Sequence, residues 1–218
     1  MTERLGLRER KKLQTRETIA NVALAMFLQR GFDSVSVAEI ADAADVSKVT
    51  VFNYFPAKED LVMHHIEDHT DEAAVIVRGR AEGVSPLDAL RGHFLARLES
   101  RDPTTGLSDD ESFLAFHRML MDNPSLLLRV GRQWMNQESA LAEAFAEAMG
   151  AGPDDIVPQV AANQVIGAQQ ALVNRNSQRM FAGQTAKKAY RAAVEDAERA
   201  FSMLANGLAG CGLADARG

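Results

Sequence analysis

Lys48, Val49, Thr50, Asn53 and Tyr54 lie within seven residues of one another and offer a cation, an aliphatic group, a hydroxyl, a carboxamide and a phenol. Presented on one face of a helix, this mixture suits the wide groove of duplex DNA. Thr50 and Asn53 can hydrogen-bond base edges, Val49 can touch a thymine methyl, and Lys48 can meet guanine or phosphate. Tyr54 and Lys58 fit phosphate contacts, as do backbone amides at helix starts near Ser36 and Ala57. No comparable set points to catalysis: the chain has no Gly-rich phosphate loop, nucleophile elbow or paired-carboxylate arrangement. The run of His64, His65 and His69 with Asp68 and Glu72 includes an i, i+4 histidine pair. Without cysteine or further ligands it reads as a polar helix face rather than a metal site. No cofactor is expected.

A helix-turn-helix could position those side chains. Its two helices need a small residue where they cross, apolar residues to lock the crossing, and a turn residue that tolerates positive φ. Ala41 supplies the first, Ile40, Val46, Val51 and Phe55 the second, and Asp45 the third, since a short polar side chain tolerates the left-handed region. Ser36-Val37-Ala38-Glu39 is a capping box for the first helix of the pair, and Ser47 caps the second. A preceding helix is expected from about Thr15 to Arg30, closed by Gly31. Pro56 ends the recognition helix and opens a longer one, from Ala57 to about Arg80.

Apolar residues recur at helical rather than strand spacing throughout, so the whole chain reads as all-α. Further helices are expected over 86–100, 110–122, 125–149, 154–182 and 185–208, broken near Gly83, Pro103, Pro124, Gly150–Pro153 and Gly183. Leu87, Leu90, Phe94 and Leu98 form one buried stripe. Leu127, Trp134, Leu141 and Phe145 form another, and Tyr190, Val194, Ala197, Phe201, Leu204 and Leu208 a third.

The stretch from Thr15 to Leu61, above all Val46-Ser47-Lys48-Val49-Thr50-Val51-Phe52-Asn53-Tyr54-Phe55-Pro56-Ala57-Lys58-Glu59-Asp60-Leu61, resembles the DNA-binding domain of TetR-family transcriptional regulators. The resemblance implies an N-terminal three-helix headpiece on a C-terminal helical bundle. It also implies a homodimer that binds a near-palindromic double-stranded operator, usually as a repressor, and lets go when a small molecule enters the bundle. Positions matching Lys48, Thr50, Asn53, Tyr54 and Lys58 commonly face DNA in that family, and Ser36 falls where a phosphate-contacting hydroxyl is usual. Three residues depart from the pattern: Asp45 for the turn glycine, Val49 for a frequent Gly or Ala, and Phe52 for a frequent Tyr. The loss of the Tyr hydroxyl at Phe52 shifts the phosphate role to Tyr54.

These expectations divide the chain into a basic arm and helix-turn-helix over 1–56 and a ligand-binding and dimerisation region over 57–218. The 218 residues carry a net charge of −6, an average that argues against DNA binding when taken globally. Residues 1–60 are nevertheless neutral, with nine Lys/Arg against nine acids, and residues 1–16 hold six bases against Glu3 and Glu9. Such an N-terminal arm, expected to be flexible, seeks phosphate. The single cysteine, Cys211, excludes an intrachain disulfide. No apolar run reaches the roughly 20 residues of a membrane span, and the start lacks a leader's apolar stretch, so a cytoplasmic protein without membrane association is expected.

The acidic remainder must supply dimerisation and any effector site. Small residues on the last two long helices, Ala161, Ala162, Gly167, Ala168 and Ala171, then Ala189, Ala193, Ala197 and Ala200, suit a close helix-packed dimer. Phe94, Leu98, Phe113, Phe116, Leu120, Val130, Trp134 and Val165, with His117 and Gln169 as polar handles, are the candidate effector-pocket residues. Region 110–147 also resembles regulators found with mycofactocin clusters, for which acyl-CoA ligands are proposed, and this implies an elongated lipid-like effector. Arg118, Arg129 or Arg132 could then meet CoA phosphates, though exposed arginines are more often solvated. A second reading is a constitutive DNA binder whose bundle holds a protein partner. A third, an enzyme, has no visible apparatus.

Overall fold

The computed structural model describes residues 6–67 and 71–207. Its helices are α1 (Leu7–Arg30), α2 (Val37–Ala43), α3 (Lys48–Tyr54), α4 (Lys58–Glu67), α5 (Glu72–Arg78), α6 (Pro86–Glu99), α7 (Glu111–Asp122), α8 (Pro124–Met149), α9 (Val157–Phe181) and α10 (Ala186–Asn206). A 3-10 turn covers Pro103–Thr105, and no strand occurs among the described residues. The all-α reading therefore holds. Leu208, Asp68, His69 and Cys211, named above, lie outside the described residues, as does Arg4.

Two compact units make up the fold: Met1–His69 with Ala115–Arg132, and Thr70–Leu114 with Gln133–Gly218. The first thus extends beyond residue 56, because α4 buries Leu61, Val62 and Met63 and belongs to the same body as α1–α3. Its interior comprises Ile19, Ala20, Ala23 and Phe27 of α1, Phe32 and Val35 of the following loop, Ile40, Val51 and Phe55, with Leu126 and Val130 of α8. Each bulky aliphatic or aromatic member, fully buried, contributes about 1.5–3 kcal/mol by leaving water.

Two departures from the expected helices bear on function. The first helix starts at Leu7, not near Thr15, so Arg8, Arg10, Lys11 and Lys12 sit on a helix and not on a loose arm. Arg, Lys, Leu and Gln are all good helix formers, and nothing between Leu7 and Thr15 interrupts them. The single helix expected over 57–80 is described as two, α4 as far as Glu67 and α5 from Glu72.

The second unit is built on Leu90, Phe94 and Leu98 of α6, Leu141 and Phe145 of α8, Val165 and Ile166 of α9, and Phe201 of α10. The Phe94 and Phe201 rings meet at 6.2 Å between centroids. Helix α10 packs on α6 and α9 with Ala189, Ala193 and Ala197 buried, so these alanines let helices approach within one subunit and are not available to a dimer face. On α9, by contrast, Gly167 and Ala171 are exposed. The stripe expected through Leu127 is also corrected. Leu126 is 0% exposed and Leu127 36%, since Leu126 and Val130, one turn apart, share the inward face and Leu127 is rotated from it by about 100°.

A tight loop seats the 3-10 turn on α9. Asn176 Nδ2 donates to Thr105 O at 3.0 Å, and Gly106 takes φ +73°. A Cβ at Gly106 would lie 2.3 Å from Val173 O and 2.7 Å from Ser177 Oγ. Gly106→Ala is expected to destabilise the protein by about 2–4 kcal/mol, from left-handed strain and overpacking together. Chemical denaturation checks this; an unchanged unfolding midpoint would mean the loop is not seated on α9.

Candidate nucleic-acid interface

Helix α2 begins in a complete capping box. The Glu39 amide donates to Ser36 Oγ at 3.2 Å, and the Ser36 amide donates back to Glu39 Oε2 at 2.8 Å. Arg30, at the end of α1, donates to the other Glu39 oxygen at 2.6 Å, which ties α1 to the start of α2. These donors hold the Glu39 carboxyl far below its ordinary range, at about 2, with the Ser36 amide as the leading cause and Arg30 next.

The turn follows. The Ala44 amide donates to Ile40 O at 2.9 Å, Asp45 takes φ +54°, and the Val46 amide reaches back to Ala41 O at 3.0 Å. Ala41, small and buried, allows that approach, while Ile40, Val51 and Phe55 are sealed behind it. Ser47 then caps α3, its Oγ accepting from the Thr50 amide at 3.0 Å.

With Val51 as its buried side, α3 turns Lys48, Val49, Phe52 and Asn53 outward, and Val49 is 69% exposed. Thr50 and Tyr54 are half-buried. The Thr50 hydroxyl is 2.8 Å from Ser47 Oγ, so the cap orients it. Phe52 is 41% exposed with the Lys48 ammonium 5.9 Å from its ring centroid, a solvent-side placement unlike that of the core aromatics. Ser36 is exposed, with its hydroxyl also donating to Glu39.

Lys58 is placed differently from the phosphate contact expected of it. Its ammonium donates to Phe32 O and lies 4.4 Å from the Phe32 ring centroid and 5.5 Å from that of Phe27. Burial lowers its pKa. The Phe32 carbonyl and the electron-rich rings of Phe32 in the α1–α2 loop and Phe27 on α1 thus hold the cation at the start of α4. The expected polar histidine face also departs from the structure: His64 is 6% exposed, with Nε2 3.0 Å from Glu17 Oε1 and its ring edge-on to Phe55, while His65 Nε2 lies 3.3 Å from Ala20 O. These histidines join α4 to α1. No metal-holding group of His, Cys, Asp and Glu occurs among the described residues.

Sequence reasoning placed Arg8, Lys11 and Lys12 near DNA only through their charge. The structure lines a groove of about 660 Å³ with Arg8, Glu9, Lys11, Lys12 and Thr15 of α1 and with Thr50, Asn53 and Tyr54 of α3. The signal was legible as the 8, 11, 12, 15 spacing of one helix face, hidden by the expectation of a flexible arm. An ion pair from Arg129 of α8 to Asp60, whose carboxylate also accepts the Ala57 amide at 2.8 Å, was likewise not foreseen.

Residues 19–64 match the family pattern of bacterial regulatory proteins of the tetR family, and residues 84–209 match the MftR C-terminal domain. The HTH-type transcriptional regulator TcmR of Streptomyces glaucescens is 32% identical over 151 residues, covering 69% of this chain and 67% of its own. The chain belongs to the TetR family of transcriptional regulators. Another TetR-type relative, the putative mycofactocin biosynthesis transcriptional regulator MftR of Mycobacterium tuberculosis, is 25% identical over 72% of this chain and 77% of its own. Thermus thermophilus FadR, a TetR-family repressor solved in complex with lauroyl-CoA, shares the fold at a TM-score of 0.55 and 24% identity, over 88% of this chain and 94% of that one. Salmonella enterica GusR does so at 0.55 and 24%, over 89% and 95%. Its relatives make this TetR-family chain a DNA-binding regulator and not an enzyme. No described helix is long and apolar enough to cross a membrane.

The candidate effector residues of this TetR-family chain fall into both units. Phe94, Leu98 and Val165 are buried in the second unit's core, and Phe113, Trp134 and Gln169 of the same unit are half-buried. Phe116, His117, Leu120 and Val130 belong to the first, and burial lowers the His117 pKa, which favours its neutral imidazole.

Two expectations test the turn and its cap. Asp45→Gly is expected to stabilise the headpiece by up to about 1 kcal/mol and Asp45→Val to destabilise it by about 1–2 kcal/mol, read as shifts in the urea midpoint. Because folding depresses the Glu39 pKa, its contribution is whole above about 4.5 and is lost as pH falls toward about 2. Glu39→Gln should therefore flatten the acid limb of the stability profile between those values, and an unaltered profile would exclude the cap as its source.

Proposed function

We propose that this chain is a homodimeric repressor that reads a near-palindromic operator with α3 and releases it when a small apolar or acyl-type molecule enters its C-terminal helices. The observation that carries the reading is the outward face of α3: a rigidly capped helix, anchored by Val51, presents Lys48, Val49, Thr50 and Asn53 together. Thr50 and Asn53 are assigned to base edges, Val49 to a thymine methyl and Lys48 to guanine or phosphate. Tyr54 and Ser36 are assigned to the sugar-phosphate chain. Lys58, held at Phe32 O, is assigned to fixing the start of α4, and a phosphate role would require it to leave that carbonyl.

Dimerisation is assigned to α9 and α10, as first expected, but through a different surface. Val160, Gln164, Gly167, Ala171, Asn174, Gln178 and Phe181 recur every three or four residues along α9, all exposed and all uncharged. A seven-residue stripe without charge, spread over 22 residues of a chain rich in charge, is suited to burial against a symmetric copy. Two recognition helices related by that symmetry would enter successive major grooves roughly 34 Å apart.

The acyl-type effector is supported by the match to the MftR C-terminal domain and by the apolar make-up of α6, α8 and α9. Lauroyl-CoA, the ligand of the FadR fold relative, is the first probe to use. Phe94, Leu98, Phe113, Trp134 and Val165 of the second unit are proposed as its apolar surroundings, with Gln169 as a polar partner. Arg129 is committed to Asp60 and is not assigned to the CoA phosphates.

Three measurements test these assignments. In binding-site selection from random duplexes, wild type should recover a near-palindrome, and Asn53→Ala should lose about 1–3 kcal/mol and its preference at one position per half-site; recovery of no common sequence would refute the regulator reading. Gly167→Glu with Ala171→Glu should give a monomer by sedimentation; a persistent dimer would move the interface elsewhere. Trp134, the chain's one tryptophan, should change emission as lauroyl-CoA displaces the recovered duplex. Displacement without any change at Trp134 would place the ligand away from it, and neither effect would turn attention to a protein partner.

A further inference from the structure

From the groove shared by α1 and α3 we infer that the N-terminal turns of α1 form a second DNA-contacting element: a basic ridge that holds one sugar-phosphate strand beside the recognition helix. This inference rests on the regulator reading above. Arg8, Lys11, Lys12 and Thr15 follow one another at i, i+3, i+4 and i+7, and all four line the same groove as Thr50, Asn53 and Tyr54. Arg10 falls on the opposite side of α1 and lines none of it.

Three features favour phosphate over a solvated face. The three bases are exposed, and the ridge is a helix, so their stems start from fixed positions, those of Lys11 and Lys12 about 4.5 and 6 Å along the axis from that of Arg8. Their heads can therefore reach neighbouring phosphates, which repeat every ~3.4 Å of rise on one strand. The acids at this groove are outnumbered: Glu9 alone faces three bases, and it lies 4.0 Å from Lys12. The opposite wall carries the side chains assigned to bases and to the strand backbone, so a duplex seated on α3 brings a strand to the ridge. The charge matches that occupant in a chain whose net charge is −6. Such contacts carry no sequence information; they position the duplex and strengthen binding to any sequence.

The test uses the full chain and two duplexes, one recovered by the wild-type protein from a random pool and one unrelated. Arg8→Gln with Lys11→Gln and Lys12→Gln removes the charges while keeping good helix formers, and Arg10→Gln is the matched control off the groove. The triple variant is expected to weaken both duplexes by the same factor. It should also reduce the slope of log affinity against log salt by about 5.4 for the homodimer, whose two ridges lose six contacts at about 0.9 each. Arg10→Gln should leave the slope unchanged, and circular dichroism should show α1 intact in both variants. An unaltered slope in the triple variant, or an equal fall in the Arg10→Gln control, overturns the ridge. If wild type prefers no duplex, the regulator reading itself fails. If Asn53→Ala abolishes preference while the triple variant keeps the wild-type slope, that reading stands and the ridge alone falls.

Discussion

The left-handed backbone at Asp45 determines the direction in which α3 leaves α2, and every candidate DNA contact on α3 depends on that direction. The turn is held from both sides: the Val46 amide reaches Ala41 O, and the Ser47 hydroxyl receives the Thr50 amide. Asp is a less comfortable occupant than Gly at φ +54°, and its cost is offset by sealing Ile40, Val51 and Phe55 behind the crossing. Because Val51 must remain inside, Val49 and Asn53 must remain outside. Packing thereby decides which residues of a seven-residue helix meet a groove.

Around this crossing, charged groups serve two purposes that composition does not separate. Lys58, Arg30 and Arg129 are committed to partners in their own unit, namely Phe32 O, Glu39 and Asp60. They fix the starts of α2 and α4 against α1 and α8. Arg8, Lys11, Lys12 and Lys48 project from helices into solvent, where Lys12 has only an exposed contact with Glu9 and Lys48 one with the Phe52 ring, and they can turn to an anion. His64 serves the first purpose as well: its link to Glu17 and its edge contact with Phe55 join three elements of the headpiece. The fold thus consumes some bases and leaves others free for phosphate.

In the second unit the same sorting applies to small residues. Ala189, Ala193 and Ala197 are buried against α6 and α9, whereas the uncharged stripe of α9 stays exposed. Alanine spacing alone does not distinguish close packing inside a subunit from close packing between subunits, because both need a short side chain at the crossing.

The all-helical class, the capping box at Ser36, the turn at Asp45 and the outward residues of α3 were legible in the order of residues, since each follows from interactions among neighbours fewer than about ten positions apart. The family could be recognised from the same stretch for the same reason. Tertiary structure alone decided where Lys58 and Arg129 point, that Leu126 and not Leu127 is buried, and that the basic turns before Thr15 run beside α3. Those outcomes depend on partners distant along the chain: Arg129 and Asp60 are 69 residues apart, and Lys58 and Phe32 26. A long side chain or a helix extension has several local minima of similar energy, and only the distant surface against which it comes to rest selects one.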